Sequence, residues 1–422
     1  MTKTKPTLSF WQIWNMAFGF LGIQVGWGLQ MGNMSAIYEF LGAAPDEIPL
    51  LWLAAPMTGL IVQPLVGFFS DQTWSPRWGR RKPYFLIGAI LASIMLVFMP
   101  FSTEVWMAAG MLWILDASIN ITMEPQRAFV ADLLPEKQLA RGYTMQSFFI
   151  GIGAVIAAAL PWLLLNVFDM PKTSGDGTIP GYAFLGAILY TVFTTKEYPP
   201  EYYEEEGEES LGYFEGLKKA FNNMPKSFIQ LAPVQFFTWM GLFLMWFYLT
   251  VTICRHVFGA TDPDSELYAD GLAWANICFG FYSIVTFIFA LIMPSLARKW
   301  GEVKLHAFCL LAGAIGLISI YFVKDQYVLL LSMTGIGIAW ASIVSMPYAI
   351  IASDIPPKQM GIFMGLFNMF IVIPEILAAL FFGFIMKNML GNNTLYAVVL
   401  GGALLVIAAL LTLNVKQPKH DD

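Results

Sequence analysis

Charge is scarce in this chain. Aspartate, glutamate, lysine and arginine make up 12% of its 422 residues, about half the roughly 25% of an ordinary soluble domain. So few polar groups could not cover a soluble globule of this size. Cysteine is nearly absent as well. Cys254, Cys278 and Cys309 lie in or beside apolar runs, which indicates neither a disulfide framework nor a zinc site. The three histidines (His256, His306, His420) form no His-Glu-x-x-His segment. A phosphate-binding loop and a nucleophile elbow are also missing. These absences exclude ATP-driven chemistry and argue against an enzyme; no cofactor and no metal are expected. A net charge of −6 gives no reason to expect nucleic acid as a partner.

What the chain has is apolar length. Hydrophobic residues are 57% of the sequence, enough for about twelve spans of the roughly 20 residues that a bilayer core demands. Apolar stretches fall near 10–40, 48–70, 84–102, 105–134, 140–168, 179–195, 227–258, 271–297, 304–323, 326–353, 360–386 and 393–415. They are too long and too evenly apolar for barrel strands. The reading is an all-α membrane protein of twelve transmembrane helices, with the lipid bilayer as its surroundings. The first span carries Gln24, Trp27, Gln30 and Asn33 and does not read as a removable signal peptide. The sixth is short and contains Pro180.

With the amino terminus inside, 18 of the 23 lysines and arginines fall on inner segments and four (Lys172, Arg255, Lys324, Lys387) on outer ones; Arg127 lies within the fourth span. The basic residues therefore place both termini in the cytoplasm. Residues 196–226, Glu-rich at 201–209, read as a solvated linker. It separates an N-terminal six-helix bundle, 1–195, from a C-terminal one, 227–422. The halves share traces of one ancestor. RWGRRK at 77–82 recurs 222 residues later as KWGEVK at 299–304, and Pro125, Asp132 and Pro135 recur as Pro347, Asp354 and Pro357 at the same offset. A constant offset points to duplication, with the two halves in parallel orientation.

Charges inside a bilayer are costly and mark function. The fourth span, WILDASINITMEPQRAFVADLLP, places Asp116, Asn120, Glu124 and Arg127 on one helical face, within about 80° of each other. Glu124 and Arg127, three residues apart, can pair directly. That leaves Asp116 without an obvious cation, and a desolvated carboxyl of this kind can bind and release a proton near neutral pH. Ile338 and Ala349 occupy the equivalent positions of the second half, so these charges are not inherited scaffold. Glu375 in the eleventh span shares a face with Asn368; it could bind a hydroxyl, assist coupling or be a protonated structural group. Amides and indoles that can hold sugar hydroxyls and ring faces stand at Trp27, Gln30, Asn33, Gln63, Gln146, Trp340 and Tyr348.

Between the second and third spans, GFFSDQTWSPRWGRRKPY combines Gly67, for close helix approach, with Asp71 and a basic cluster. Arg77, Arg80 and Arg81, turned by Gly79, can pair with the carboxyl ends of neighbouring helices. The combination predicts a conformational latch.

These segments resemble a known family. GIQVGWGLQ at 22–30, the 67–83 loop, LDASIN and PQRAFVADL within 115–133, and GIFMGLFNMFIVIPEI at 361–376 are similar to the sugar:cation symporters of the major facilitator superfamily. The likeness is strongest to the sucrose and α-glucoside proton symporters. It implies two six-helix bundles and alternating access. Asp116 and Arg127 match the Asp and Arg that plant members carry eleven residues apart, which implies a proton-binding role for Asp116 and a substrate-coupling role for Arg127. Glu124 replaces a small residue and Glu375 a Gln; Leu249 and Val251 stand where plant members are acidic. The departures point to a bacterial branch. The resemblance implies proton-coupled uptake of a neutral disaccharide or α-glucoside such as maltose or sucrose by a monomer in the bacterial cytoplasmic (inner) membrane. A sodium-coupled glycoside transporter and a non-transporting sugar sensor stand as alternatives.

Overall fold

The computed structural model describes residues 5–166, 178–199, 221–222, 224–352 and 360–416. Among them there is no strand, only an isolated bridge between Ser75 and Gly79. Most of the linker expected at 196–226 therefore lies outside the described residues.

The helices, in chain order, are α1 (Phe10–Ala17), α2 (Gly19–Phe40), α3 (Ile48–Leu51), α4 (Ala54–Gln72), α5 (Lys82–Phe98), α6 (Val105–Leu133), α7 (Glu136–Asn166) and α8 (Thr178–Thr194). They continue with α9 (Lys226–Thr252), α10 (Glu266–Trp300), α11 (Glu302–Ser319), α12 (Gln326–Ile343), α13 (Met346–Ala352), α14 (Met360–Asn388) and α15 (Thr394–Thr412). Local chemistry sets several of the starts. Ser9 and Gln12 form a reciprocal capping box at α1, and Ser265, Asp325 and Asn393 cap α10, α12 and α15 through their side chains. Each satisfies backbone N–H groups that have no partner within the helix.

Among the described residues, ten segments are long and apolar enough to cross a membrane. The two expected spans missing from that set have plain reasons. The first helix is interrupted at Phe18, between α1 and α2, and α2 carries Gln24, Gln30, Asn33, Ser35 and Glu39. Only 17 residues form α8. Pro180 stands in its first turn, where a missing N–H costs nothing.

The chain divides into two compact units, Met1–Gly42 with Ala54–Glu208, and Ala43–Leu53 with Glu209–Asp422. In the first, α2 packs on α7 and α8, α6 on α4 and α5, and α5 on α8. In the second, α9 packs on α14 and α15, α12 on α10 and α11, and α11 on α15. Each of these five pairings of the first unit thus recurs six spans later, which is what the constant sequence offset leads one to expect. The short stretch carrying α3 belongs to the second unit. There Trp52 is fully buried beside Phe247, and the Tyr248 hydroxyl donates to Pro45 O at 2.8 Å.

One glycine sets the position of the helix that matters most. A Cβ on Gly88 of α5 would stand 2.5 Å from Ser118 O and 2.3 Å from Thr122 Oγ1 of α6. Only hydrogen fits there, and α5 and α6 meet backbone to backbone.

Candidate functional site

At 29 residues, α6 is about 43 Å long at 1.5 Å per residue, more than the roughly 30 Å of a bilayer core. Asp116 sits near its middle and is fully buried. Its carboxylate accepts a hydrogen bond from Gln30 Nε2 of α2 at 2.7 Å. One turn on, buried Asn120 donates to the Asp116 backbone carbonyl at 2.9 Å and to Thr58 Oγ1 of α4 at 3.2 Å. Gln63 of α4 donates to Asn120 Oδ1 at 2.7 Å. Three helices are thereby joined by a continuous polar chain around one carboxyl group. Thr58 is a member that the sequence did not single out; a threonine within an apolar run carries no signal of its own.

The rest of the fourth-span face is arranged differently from expectation. Arg127 is exposed and makes no ion pair among the described residues, so the direct Glu124–Arg127 pair inferred from their spacing is not formed. Glu124 turns toward α4 instead. Its Cγ lies 4.0 Å from the place a Cβ on Gly67 would occupy. That is ordinary contact distance, and Gly67 is not needed for close approach. Trp27 and Gln146 are half-buried, and Gln146 Oε1 is buried without a hydrogen-bond partner among the described residues. Asn33 donates to Leu29 O of its own helix at 2.8 Å.

In the second unit, half-buried Trp340 is held edge-on by two further indoles, with centroids 6.0 Å from Trp239 and 5.6 Å from Trp246. Trp239 Nε1 donates to Gln235 Oε1 at 2.7 Å. Only Trp340 of this group was anticipated; the other members lie in an evenly apolar helix where indoles read as packing. Tyr348 packs against Phe367 at 5.0 Å. Asn368 is exposed, whereas Glu375, two turns along α14, is buried. The described residues include no group of three or more His, Cys, Asp or Glu able to hold a metal ion.

The loop between α4 and α5 closes on itself through Ser75 and Gly79, whose backbones exchange hydrogen bonds of 3.0 and 2.8 Å. Gly79 has φ +78°, and a Cβ there would stand 2.5 Å from the Glu197 carboxyl carbon. Glycine is therefore required for both conformation and space. The loop delivers Arg81 to Asp132 in the last turn of α6, Nε to Oδ2 at 2.7 Å, and Arg80 to the same carboxylate at 3.8 Å. Arg81 also donates to Ser70 Oγ of α4. Glu197, just past α8, accepts from the backbone N–H groups of Arg80, Arg81 and Lys82 at 2.7–3.1 Å. This caps the start of α5, while Lys82 donates to Thr195 O. Burial pushes the Glu197 carboxyl above the usual range, against those N–H groups and the Lys82 charge. Arg77 lies apart from this cluster, exposed, with its guanidinium 5.7 Å from the Trp78 ring centre. Asp71 is on α4, with its side chain outside the described residues. Asp132 was visible in sequence only as a repeated position, and Glu197 was not singled out.

The sequence profile described as Major Facilitator Superfamily matches residues 16–379. The chain belongs to the Major Facilitator Superfamily. This facilitator is a multi-pass membrane transporter, not an enzyme. It is 25% identical over 93% of its length to the sucrose transport protein SUT5 of Oryza sativa subsp. indica, covering 85% of that protein. It is 24% identical over 66% of its length to the general alpha-glucoside permease of Schizosaccharomyces pombe, covering 55% of it. The nucleoside transporter NupG shares the fold, with a TM-score of 0.74 at 14% identity, covering 97% of this facilitator and 100% of NupG.

Proposed function

We propose that the protein takes up a neutral disaccharide or α-glucoside such as maltose or sucrose, coupled to protons, by alternating access across a bacterial cytoplasmic membrane. It acts as a monomer of twelve spans in two six-helix bundles, 1–195 and 227–422, joined by a cytoplasmic linker at 196–226, with both termini cytoplasmic. The observation that carries this reading is the isolated carboxyl of Asp116, buried at mid-helix with a neutral amide as its partner. A buried carboxyl with no adjacent cation is suited to binding and releasing a proton. The half-buried amide of Gln63, hydrogen-bonded to Asn120, supplies polar atoms for sugar hydroxyls. The half-buried indoles of Trp27 and Trp340 supply apolar ring faces. Gln30, Asn33, Gln146, Tyr348, Asn368 and Glu375 are further candidates. The sugar class is supported by relatives named as sucrose and alpha-glucoside carriers.

Counterflow in proteoliposomes with a panel of radiolabelled sugars, with and without an uncoupler, tests the proposal. Exchange of maltose or sucrose that becomes accumulation only under a proton gradient is the expected result. Flux that follows sodium, or no flux with any disaccharide or glucoside, would overturn it.

A further inference from the structure

The pairing between Gln30 and Asp116 is half made. Gln30 Nε2 donates to Asp116 Oδ1, while the second atom of each group, Gln30 Oε1 and Asp116 Oδ2, is buried with no hydrogen-bond partner among the described residues. Both are acceptors, and buried unmatched acceptors are costly. One proton satisfies both. Placed on Oδ2, it lets the carboxyl donate to Oε1 while it accepts from Nε2, which closes the cyclic pair that an acid and a primary amide form when they share a plane.

We propose that Gln30 is the positioning residue for the coupling proton, the second acceptor that holds it on Asp116. The inference rests on the reading of Asp116 as proton carrier. Loading is balanced simply: a hydronium ion gives its proton to Oδ2 and departs as water, and release on the other side is the reverse. The loaded pair is neutral throughout. The unloaded pair sets two acceptors beside each other and favours separation of α2 from α6, so that protonation acts on helix packing.

Few other ionisable groups compete for control of the pair. Tyr38 of α2, next to Glu39, interacts electrostatically with Asp116. The partners contributed by α4 are neutral, and Asp71 is near the far end of that helix. On α5 and α7 the ionisable residues, Lys82 and Tyr84, then Glu136, Lys137, Arg141 and Tyr143, stand in the first eight positions. Glu124 and Arg127 are about 12 and 16 Å along the axis of α6.

Infrared difference spectra of the purified protein in lipid, recorded on an acid step, read this directly. The parent should show the carbonyl band of a protonated carboxyl that is absent in Asp116→Asn. In Gln30→Met that band should move to higher wavenumber, because the acid loses both hydrogen bonds. The midpoint of the uptake–pH profile should move about tenfold in proton concentration. If Gln30→Met does not fold, Gln30→Glu replaces the amide by a second acid, and the Asp116 band must still move. A band unmoved in whichever variant folds overturns the role of Gln30. No Asp116-dependent band in the parent overturns the proton-carrier reading along with it. Neither spectrum requires sugar, so failure of the sugar assignment is seen separately, in counterflow.

Discussion

Arg81 and Asp132 form an ion pair within the loop cluster, 2.7 Å between Nε and Oδ2, with side chains 4% and 13% exposed. The pair ties the start of α5 to the end of α6, and Arg80 shares the carboxylate at 3.8 Å. Removing one partner of a buried pair leaves the other charge stranded, at a cost of about 3–5 kcal/mol. Asp132→Ala should lower the thermal unfolding midpoint in detergent strongly, and Arg77→Ala, at an exposed position, should leave it almost unchanged. Asp132→Asn should slow sugar exchange more than it weakens equilibrium sugar binding. Loss of binding with an unaltered exchange rate would show that Asp132 has no role in the conformational cycle.

Gly79→Ala tests the same cluster without touching a charge. A positive φ costs a non-glycine residue about 1–2 kcal/mol, and the added methyl would displace the Glu197 carboxylate from the N–H groups at the start of α5. The variant should be less stable than the parent by at least that strain. Combined with Glu197→Ala the cost should shrink, since the displaced carboxylate is then gone. Simple additivity in thermal unfolding of the double variant would mean that the glycine serves its turn alone.

Glu197 gives the cluster a pH dependence of definite sign. Its carboxyl is raised by burial, so the folded protein holds this proton more tightly than the unfolded chain. The resulting stability is fully present below the ordinary glutamate value of roughly 4.3 and declines as pH rises through the raised folded value. Glu197→Gln cannot titrate. The difference in unfolding midpoint, parent minus variant, should therefore fall as pH is raised from about 4. A difference that grows with pH would show that the backbone N–H groups outweigh burial.

How far these features could be read in advance depended on whether their cause was local. The length of α6, Val105–Leu133 against an expected 105–134, follows from one apolar run and could be read directly. So could the shared face of Asp116 and Asn120, which is helix geometry alone. The direct pair of Glu124 with Arg127 is allowed by the same geometry but is not formed; the Glu124 side chain lies beside Gly67 of α4, 57 positions away, which helix spacing does not reveal. Glu197 lies 115–117 residues from the N–H groups it caps, and no spacing rule reaches that far. The indoles of Trp239 and Trp246 are hidden for the opposite reason: an apolar helix offers too many aromatics to choose among.

The exposure of Arg127 separates a structural role from a functional one. It makes no ion pair among the described residues, so Arg127→Ala should change stability by less than about 0.5 kcal/mol, as exposed substitutions usually do. Transport should nevertheless be lost or weakened at least tenfold if its guanidinium meets the substrate, and Arg127→Lys should not restore a bidentate contact. Undiminished exchange in Arg127→Ala would show that Arg127 has no coupling role in this chain.

The coupling role proposed for Asp116 has a direct test. Asp116→Asn preserves shape and can still accept from Gln30 Nε2 at its own carbonyl oxygen, while its NH2 can donate to Gln30 Oε1. It is thus a permanent copy of the protonated pair and should fold well. Uphill accumulation should disappear, because no proton can be released, whereas sugar exchange, which needs no net change in protonation, should persist. Glu124→Gln is the control: it lies two turns along the same helix, half-buried, and should keep accumulation. The decisive measurement is accumulation under an imposed pH gradient beside counterflow without one, in both variants. If Asp116→Asn concentrates sugar as well as the parent and Glu124→Gln cannot, the carrier is Glu124, and the buried pair on α2 and α6 is structural.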